Sequence, residues 1–276
     1  MRALRWTAPL IALVLIGCQP ADPPSEPPAF PAGTVVDLTH PFNGQSVYWP
    51  TAAQEFTLTP EFEGETEAGY YYSAYQFAGS EHGGTHMDAP KHFHRGGEAA
   101  HAVSLDRLMG PAILVDVADS ALANPDYQVS VADFETWEAK HGTIPDGAIV
   151  LVRTGYGQYY PDRERYMGTA VRGEDALADL HFPGLHPNAA QWLVDTRSIH
   201  AIGFDTPSLD YGQSADFRAH QILFAEGIAG FENLANLDRL PAQDFHVIAL
   251  PMKIEGGSGG PARIVALLPD DDTRTP

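Results

Sequence analysis

One cysteine in 276 residues leaves no intramolecular disulfide to staple the chain and no thiolate zinc knuckle. Basic residues are scarce as well: 16 Lys+Arg stand against 36 Asp+Glu, a formal net charge of -20 at pH 7. A surface of that sign repels a polyanion, which argues against nucleic acid as a partner and against a basic membrane-binding face. No apolar run approaches the ~20 residues that a helix needs to cross a bilayer. What the chain does have is 44% hydrophobic residues, enough for a full core, and twelve histidines. Five of them, His82, His86, His92, His94 and His101, fall within a stretch of 20 residues.

The single cysteine has a telling position. Arg2 and Arg5 precede a short apolar run, Leu10 to Ile16, and Gly17-Cys18 closes it. Charge, then a short apolar run, then a small residue is the order of a secretory signal. A cysteine at its end resembles a bacterial lipobox, in which the cysteine is lipidated and becomes the first mature residue. The alternative is an ordinary cleaved signal that happens to contain a cysteine. The next fifteen residues, Gln19 to Gly33, hold six prolines and little that packs, so they read as an extended tether. The expectation is therefore a leader over 1–17, a tether over 18–33 and an exported protein held at the cell envelope by lipid on Cys18, facing the periplasm in a Gram-negative cell.

Residues 34–268 run without a second linker, which fits one domain, and the tail 269–276 is polar. Short β-branched runs bounded by Gly, Pro or Asp predict buried strands at 34–38, 112–117, 148–153, 199–204, 245–250 and 263–268. Val131 to Lys140, ended by Gly142, and Asn188 to Asp195, led by Pro187, predict helices. The mixture predicts an α/β fold with a central mixed sheet and few helices.

The chemistry concentrates in Glu81-His82-Gly83-Gly84-Thr85-His86-Met87-Asp88-Ala89-Pro90-Lys91-His92-Phe93. The glycines and Pro90 oppose a helix, so a loop wrapping around a point is expected, with His86 and Asp88 projecting to one side of an extended piece. Two imidazoles and one carboxylate suit Zn²⁺ or a similar divalent ion and leave a coordination position open. The alternative is a solvated histidine loop. His94 and His101 have no spacing that requires a metal.

This segment closely resembles the His-x-Gly-Thr-His-x-Asp-x-Pro-x-His signature of the cyclase family of metal-dependent hydrolases, which includes bacterial kynurenine formamidases and isatin hydrolases. Later blocks are similar in the same order: Gly203-Phe204-Asp205-Thr206-Pro207-Ser208-Leu209-Asp210, His220 followed by Glu232-Asn233-Leu234, and the glycine loop between Pro251 and Arg263. The resemblance implies a swivelling β/β/α domain, usually a homodimer or larger. It implies that His82, His86 and Asp88 hold one metal, and that Asp88, His220 and Glu232 complete a second position. One or two divalent ions per chain are implied, Zn²⁺ with Mn²⁺ as the alternative. His92 is implied as the proton donor and acceptor, with a fourth metal ligand as its alternative, and Trp49 as a substrate-pocket residue. The implied reaction is cleavage of a C–N amide-type bond in an aryl formamide such as N-formylkynurenine, or opening of a cyclic aryl amide such as isatin. A lactone, a carbamate, a serine hydrolase using Ser258 and a non-catalytic metal-binding lipoprotein are the remaining alternatives.

Two features compete for attention. Gly256-Gly257-Ser258-Gly259-Gly260 satisfies the Gly-x-Ser-x-Gly pattern of a nucleophile elbow, but a strand rather than a helix is expected after it, which places Ser258 in a loop beside the site. The run Tyr70, Tyr71, Tyr72, Tyr75 and Phe77 reads as a strand with large side chains on both faces. Tyr159 to Phe182 reads as an insertion at the mouth of the site.

Overall fold

The computed structural model describes residues 33–269. The expected leader, Cys18 and all but the ends of the tether and tail lie outside the described residues. Strands and helices alternate along the chain in the order β1 (Thr34–Asp37), β2 (Thr57–Glu65), β3 (Tyr71–Ala78), β4 (His86–Asp88), α1 (Leu105–Leu108), β5 (Met109–Asp116), α2 (Ala118–Ala123), β6 (Gln128–Val129), α3 (Val131–His141), β7 (Ile149–Arg153), α4 (Arg163–Met167), β8 (Gly184–Leu185), α5 (Pro187–Thr196), β9 (Ala201–Phe204), α6 (Arg218–Ala225), β10 (Ala229–Glu232), β11 (Phe245–Pro251) and β12 (Gly259–Leu268).

The main sheet runs β1-β12-β11-β5-β7-β9-β10-β4, and β4 also pairs with β12, so the sheet closes into a barrel. Strands β5, β7, β9 and β10 are parallel to one another, whereas β4, β11 and β12 join them by antiparallel pairing. Closure explains the continuous apolar runs. In β7 the side chains of Ile149 and Leu151 fill the interior, while Val150 and Val152 face outward into a second core under the helices. A strand covered on both faces has no polar side to show, and each such Val, Leu or Ile contributes about 1.5–3 kcal/mol on burial.

Helices α3, α5 and α6 cover the outer face through Phe134, Trp137, Leu193, Leu223 and Phe224. Ser130 caps α3, with the Asp133 carboxylate accepting from the Ser130 backbone N–H at 2.7 Å. The β/β/α architecture expected from the resemblance is the one found. The strand expected at 263–268 starts earlier, at Gly259, because its first three residues pair with β4. The aromatic run falls in β3, which pairs with β2 in a separate hairpin on which Leu58, Tyr71, Tyr75 and Phe77 are exposed. Segment 159–182 lies over the loop that carries Trp49. Tyr160 Oη accepts from Val47 N, Arg163 donates to Tyr48 O, Gly173 N donates to Pro50 O, and Arg163 and Arg172 both pair with Glu55.

Candidate metal centre

Parity along two adjacent strands builds the site. In β4, Met87 points into the barrel, so His86 and Asp88 point outward on the opposite face. In β10, Phe231 points inward and Glu232 outward, and the register sets Glu232 opposite His86. The segment expected to be a loop therefore contains a barrel strand at His86–Asp88, flanked by β10 on one side and by Gly259–Pro261 on the other. Helix α6 lies over this face and brings His220, its third residue, down onto the two carboxylates. Read without the resemblance, Glu232 would pass for a solvated acid. It is a strand residue only 5% exposed.

Each of the three histidines has one ring nitrogen occupied and the other aimed at the carboxylates. His86 Nδ1 lies 2.9 Å from Gly84 O, and a carbonyl can only accept, so Nδ1 carries the hydrogen. His220 Nδ1–H donates to Asp210 Oδ2 at 2.5 Å. His82 Nε2 lies 2.8 Å from Ser258 Oγ. On the inner side, His82 Nδ1 is 2.6 Å from Asp88 Oδ1, and His86 Nε2 is 3.1 Å from the same oxygen. His86 Nε2 is also 3.4 Å from Glu232 Oε2. His220 Nε2 is 3.1 Å from Glu232 Oε1 and 3.3 Å from Asp88 Oδ2. Holding one imidazole nitrogen with a carbonyl, carboxylate or hydroxyl while the other points inward is how metal-binding histidines are oriented.

Electrostatics point the same way. Burial alone would depress the His86 imidazole, but the Asp88 and Glu232 carboxylates overcome it and raise it to about 9. Burial likewise opposes the charged form of His220, and Asp210, Asp88 and Glu232 hold it well above the ordinary histidine range. Burial, then repulsion from Asp88, pushes Glu232 up, while Asp88 stays ionised because His82 and His86 outweigh its desolvation. The pocket thus attracts positive charge, which either protons or a cation can supply. The chemistry of the donors fits a divalent ion, and one atom makes the case directly. His86 Nε2 is buried 3.1 Å from Asp88 Oδ1 and 3.4 Å from Glu232 Oε2, yet it makes no well-aligned hydrogen bond to either carboxylate.

The structure brings His82, His86, Asp88, His220 and Glu232 together, and His92 with them. Donor atoms cluster as His86, Asp88 and Glu232, and as His82, Asp88 and His92, a grouping that differs from the one implied by the resemblance. His92 lies in a short turn after β4 and stacks on His82 with ring centroids 3.7 Å apart and planes tilted by 14°. His94 and His101 join neither group. His101 Nδ1 instead accepts from Gly256 N–H at 3.1 Å. Trp49 packs edge-on against Phe217 at 5.7 Å, and Phe217 in turn lies 5.3 Å from Phe93 and 6.2 Å from His220. Phe217 has a left-handed backbone, φ 51°, a conformation costing about 1–3 kcal/mol that tends to be kept where a side chain must be aimed.

Sequence reasoning assigned no role to Asp210, Glu81 or Ser258. Asp210 stood in a matching block, and its position ten residues before His220 was the available signal. Glu81 Oε2 accepts from both Ser258 N and Ser258 Oγ, at 2.9 and 2.6 Å. Burial opposes the Glu81 carboxylate, but those two donations hold it below its ordinary range. Two glycines admit these contacts. A Cβ on Gly259 would lie 2.6 Å from the His82 ring, and Gly84 combines φ +55° with Phe42 ring atoms 2.7 Å from where its Cβ would be.

Known proteins share this chain's sequence pattern and its fold. A family model described as "Putative cyclase" matches residues 36–211. The chain is 33% identical over 197 residues to the isatin hydrolase of Roseibium aggregatum, covering 68% of this chain and 72% of that protein. It is 29% identical over 233 residues to the kynurenine formamidase of Salinibacter ruber, covering 84% and 96%. The solved structure of isatin hydrolase A from Labrenzia aggregata bound to benzyl benzoate superposes with a TM-score of 0.77 at 30% identity, over 86% of this chain and 94% of that one. The family match runs from the first barrel strand through the ligand strand to Asp210, and on that span, the isatin hydrolase identity and the shared barrel, the chain belongs to the cyclase family.

Proposed function

We propose that this protein is a metal-dependent hydrolase that cleaves the C–N bond of a small aromatic amide. The observation that carries the proposal is the buried His86 Nε2, without a well-aligned hydrogen bond and flanked by Asp88 and Glu232. His82, His86 and Asp88 would hold one divalent ion, Zn²⁺ with Mn²⁺ as the alternative, and Asp88, His220 and Glu232 a second. When bound, such an ion supplies Lewis acidity to a carbonyl and acidifies water.

The protein's own residues carry the remaining steps. Burial holds the His92 imidazole down to about 4, so at pH 7 it is neutral and has a lone pair to accept a proton. It takes that proton from the attacking water and returns it to the leaving nitrogen. His92 is not a fourth ligand in this scheme, for a geometric reason. An imidazole lone pair lies in its ring plane, and His82 and His92 are stacked nearly parallel at 3.7 Å. Nearly parallel rings direct their in-plane lone pairs along parallel lines that do not converge. Trp49, Phe217 and Phe93 offer aromatic edges and faces for an aryl group beside His220.

The motif resemblance puts an N-formyl aryl amine first. A cyclic aryl amide is the second reading, favoured by the 33% identity to one isatin hydrolase and the TM-score of 0.77 to another. Both share the bond type, and a substrate panel separates them. Protein beginning at Thr34 is assayed on an N-formyl aryl amine, isatin, an aryl lactone and an aryl carbamate. Turnover of one of the two amides, lost on chelation and restored by Zn²⁺ or Mn²⁺, is the expected result. Chelator-insensitive turnover with a serine-directed phosphonate attached to Ser258 would sink the proposal. Metal uptake with no turnover would leave a binding protein instead.

We propose further that the chain is exported, lipid-anchored through Cys18 and dimeric. The lipobox-like order of residues supports the first two, and the exposed aromatic face of the β2–β3 hairpin supports the last. Lipid labelling that survives Cys18→Ala, or a monomer by light scattering, would count against them.

A further inference from the structure

Ser258 Oγ lies 2.8 Å from His82 Nε2, and His82 Nδ1 lies 2.6 Å from Asp88 Oδ1. Serine, imidazole and carboxylate in that order have the outline of a nucleophilic triad. Proton counting reverses it. Glu81 Oε2 is 2.6 Å from the same serine oxygen, and a carboxylate has no hydrogen to place between them. The one hydroxyl hydrogen of Ser258 is therefore donated to Glu81. What remains on Ser258 Oγ toward His82 is a lone pair, so Nε2 must carry a hydrogen and donate it to the serine. Nδ1 is then the nitrogen left to exchange a proton for a cation, and it faces Asp88.

We infer that Glu81 and Ser258 are positioning residues that fix His82 as the tautomer protonated on Nε2, making Nδ1 its metal-donor atom and withholding Ser258 from nucleophilic use. The inference rests on the metal-centre reading above. Backbone contacts keep the parts in place. Ala89 N, one residue past the ligand strand, donates to Ser258 O at 2.9 Å. Ala100 N donates to Gly257 O at 2.9 Å, and Gly259 lies opposite Asp88 in the β12–β4 pairing. The glycine loop is thus held on both sides of Ser258, by Ala100 before it and by the ligand strand after it. Since His92 stacks on His82, the same contacts also set the face on which the proposed proton carrier rests. With Glu81 removed, the Ser258 hydroxyl is free to donate to Nε2, which drives the hydrogen onto Nδ1, against the ion.

Zn²⁺ affinity measured by chelator competition tests this on the wild-type protein, Ser258→Ala, Glu81→Ala and the double variant. Each single change is expected to weaken binding about 10–100-fold, the usual effect of removing a partner that orients a ligand. The double variant is expected to be no weaker than the weaker single, because both act through one ring. On the wild-type protein itself, ¹⁵N shifts of His82 should show a protonated Nε2 and a metal-bound Nδ1. Single variants that bind as tightly as wild type, additive losses, or a hydrogen on Nδ1 would overturn the inference. Wild-type protein that takes up no Zn²⁺ would overturn the metal centre and this inference together. Equally tight binding by wild type and variants overturns the positioning role alone.

Discussion

Asp205 and Glu232 are both buried acids, yet they have opposite surroundings. Asp205 Oδ1 accepts from Thr154 N and Thr154 Oγ1 at 2.7 and 2.6 Å, and its Oδ2 accepts from Gly155 N at 2.9 Å. Burial pushes this carboxyl up, and hydrogen-bond donors offset that cost without any ion. Glu232 accepts from one backbone amide, Leu209 N at 3.0 Å, and otherwise faces His220 Nε2 and His86 Nε2. Those nitrogens are the free positions of rings whose other nitrogens are engaged. A carboxylate surrounded by N–H and O–H groups is structural, whereas one surrounded by imidazole nitrogens asks for positive charge. Burial does not separate the two. What faces each oxygen does.

The comparison can be broken at several points. The largest effect should come from the donor set: His86→Ala should lose both bound metal, by elemental analysis, and turnover. His92→Ala should keep the metal and lose about 10²–10⁴-fold in kcat, the usual share of a general acid or base. Equal metal loss in both would move His92 into the ligand set.

Next is the pair of acids themselves. Asp205→Ala leaves four donors, Thr154 N, Thr154 Oγ1, Gly155 N and Gly157 N, without their acceptor and should destabilise the fold by roughly 2–5 kcal/mol, read as a fall in Tm that metal does not restore. Glu232→Gln removes a charge repelled by Asp88, so metal uptake should fall while the Tm of the metal-free protein holds or rises. Similar behaviour of the two variants would erase the distinction.

The smallest effect is in pH. The folded His86 imidazole stands at about 9 against an ordinary 6.5, so its contribution to stability is complete below 6.5 and is lost as pH rises through about 9. Metal-free protein should lose Tm across that window. Metal-loaded protein, with a cation in place of the proton, should not, and parallel Tm curves would contradict the site's charge logic.

Much of the fold was legible because local pattern and burial agree in it. The β-branched run Ile149–Val152 announces a strand covered on both faces, and Pro187 with Ala189, Ala190 and Leu193 announces α5. The strand at His86–Asp88 was not legible as one, since three residues between a glycine pair and a proline carry no period. Its pairing with β10 and β12 makes it a strand. Glu232 was legible only through the motif resemblance, because nothing local marks an acid as buried when a distant helix covers it.

By itself, the sequence determined the barrel's apolar strands, the donor types and their presence in one short segment, because side-chain chemistry and periodicity are properties of neighbours along the chain. Only the tertiary structure decided how the donors are used. It set Glu81 against Ser258, 177 positions away, and Asp210 against His220, and through them chose which nitrogen of His82 and of His220 faces inward. A hydrogen bond is satisfied or left open by what lies a few ångströms off in space, and that is settled when the barrel closes.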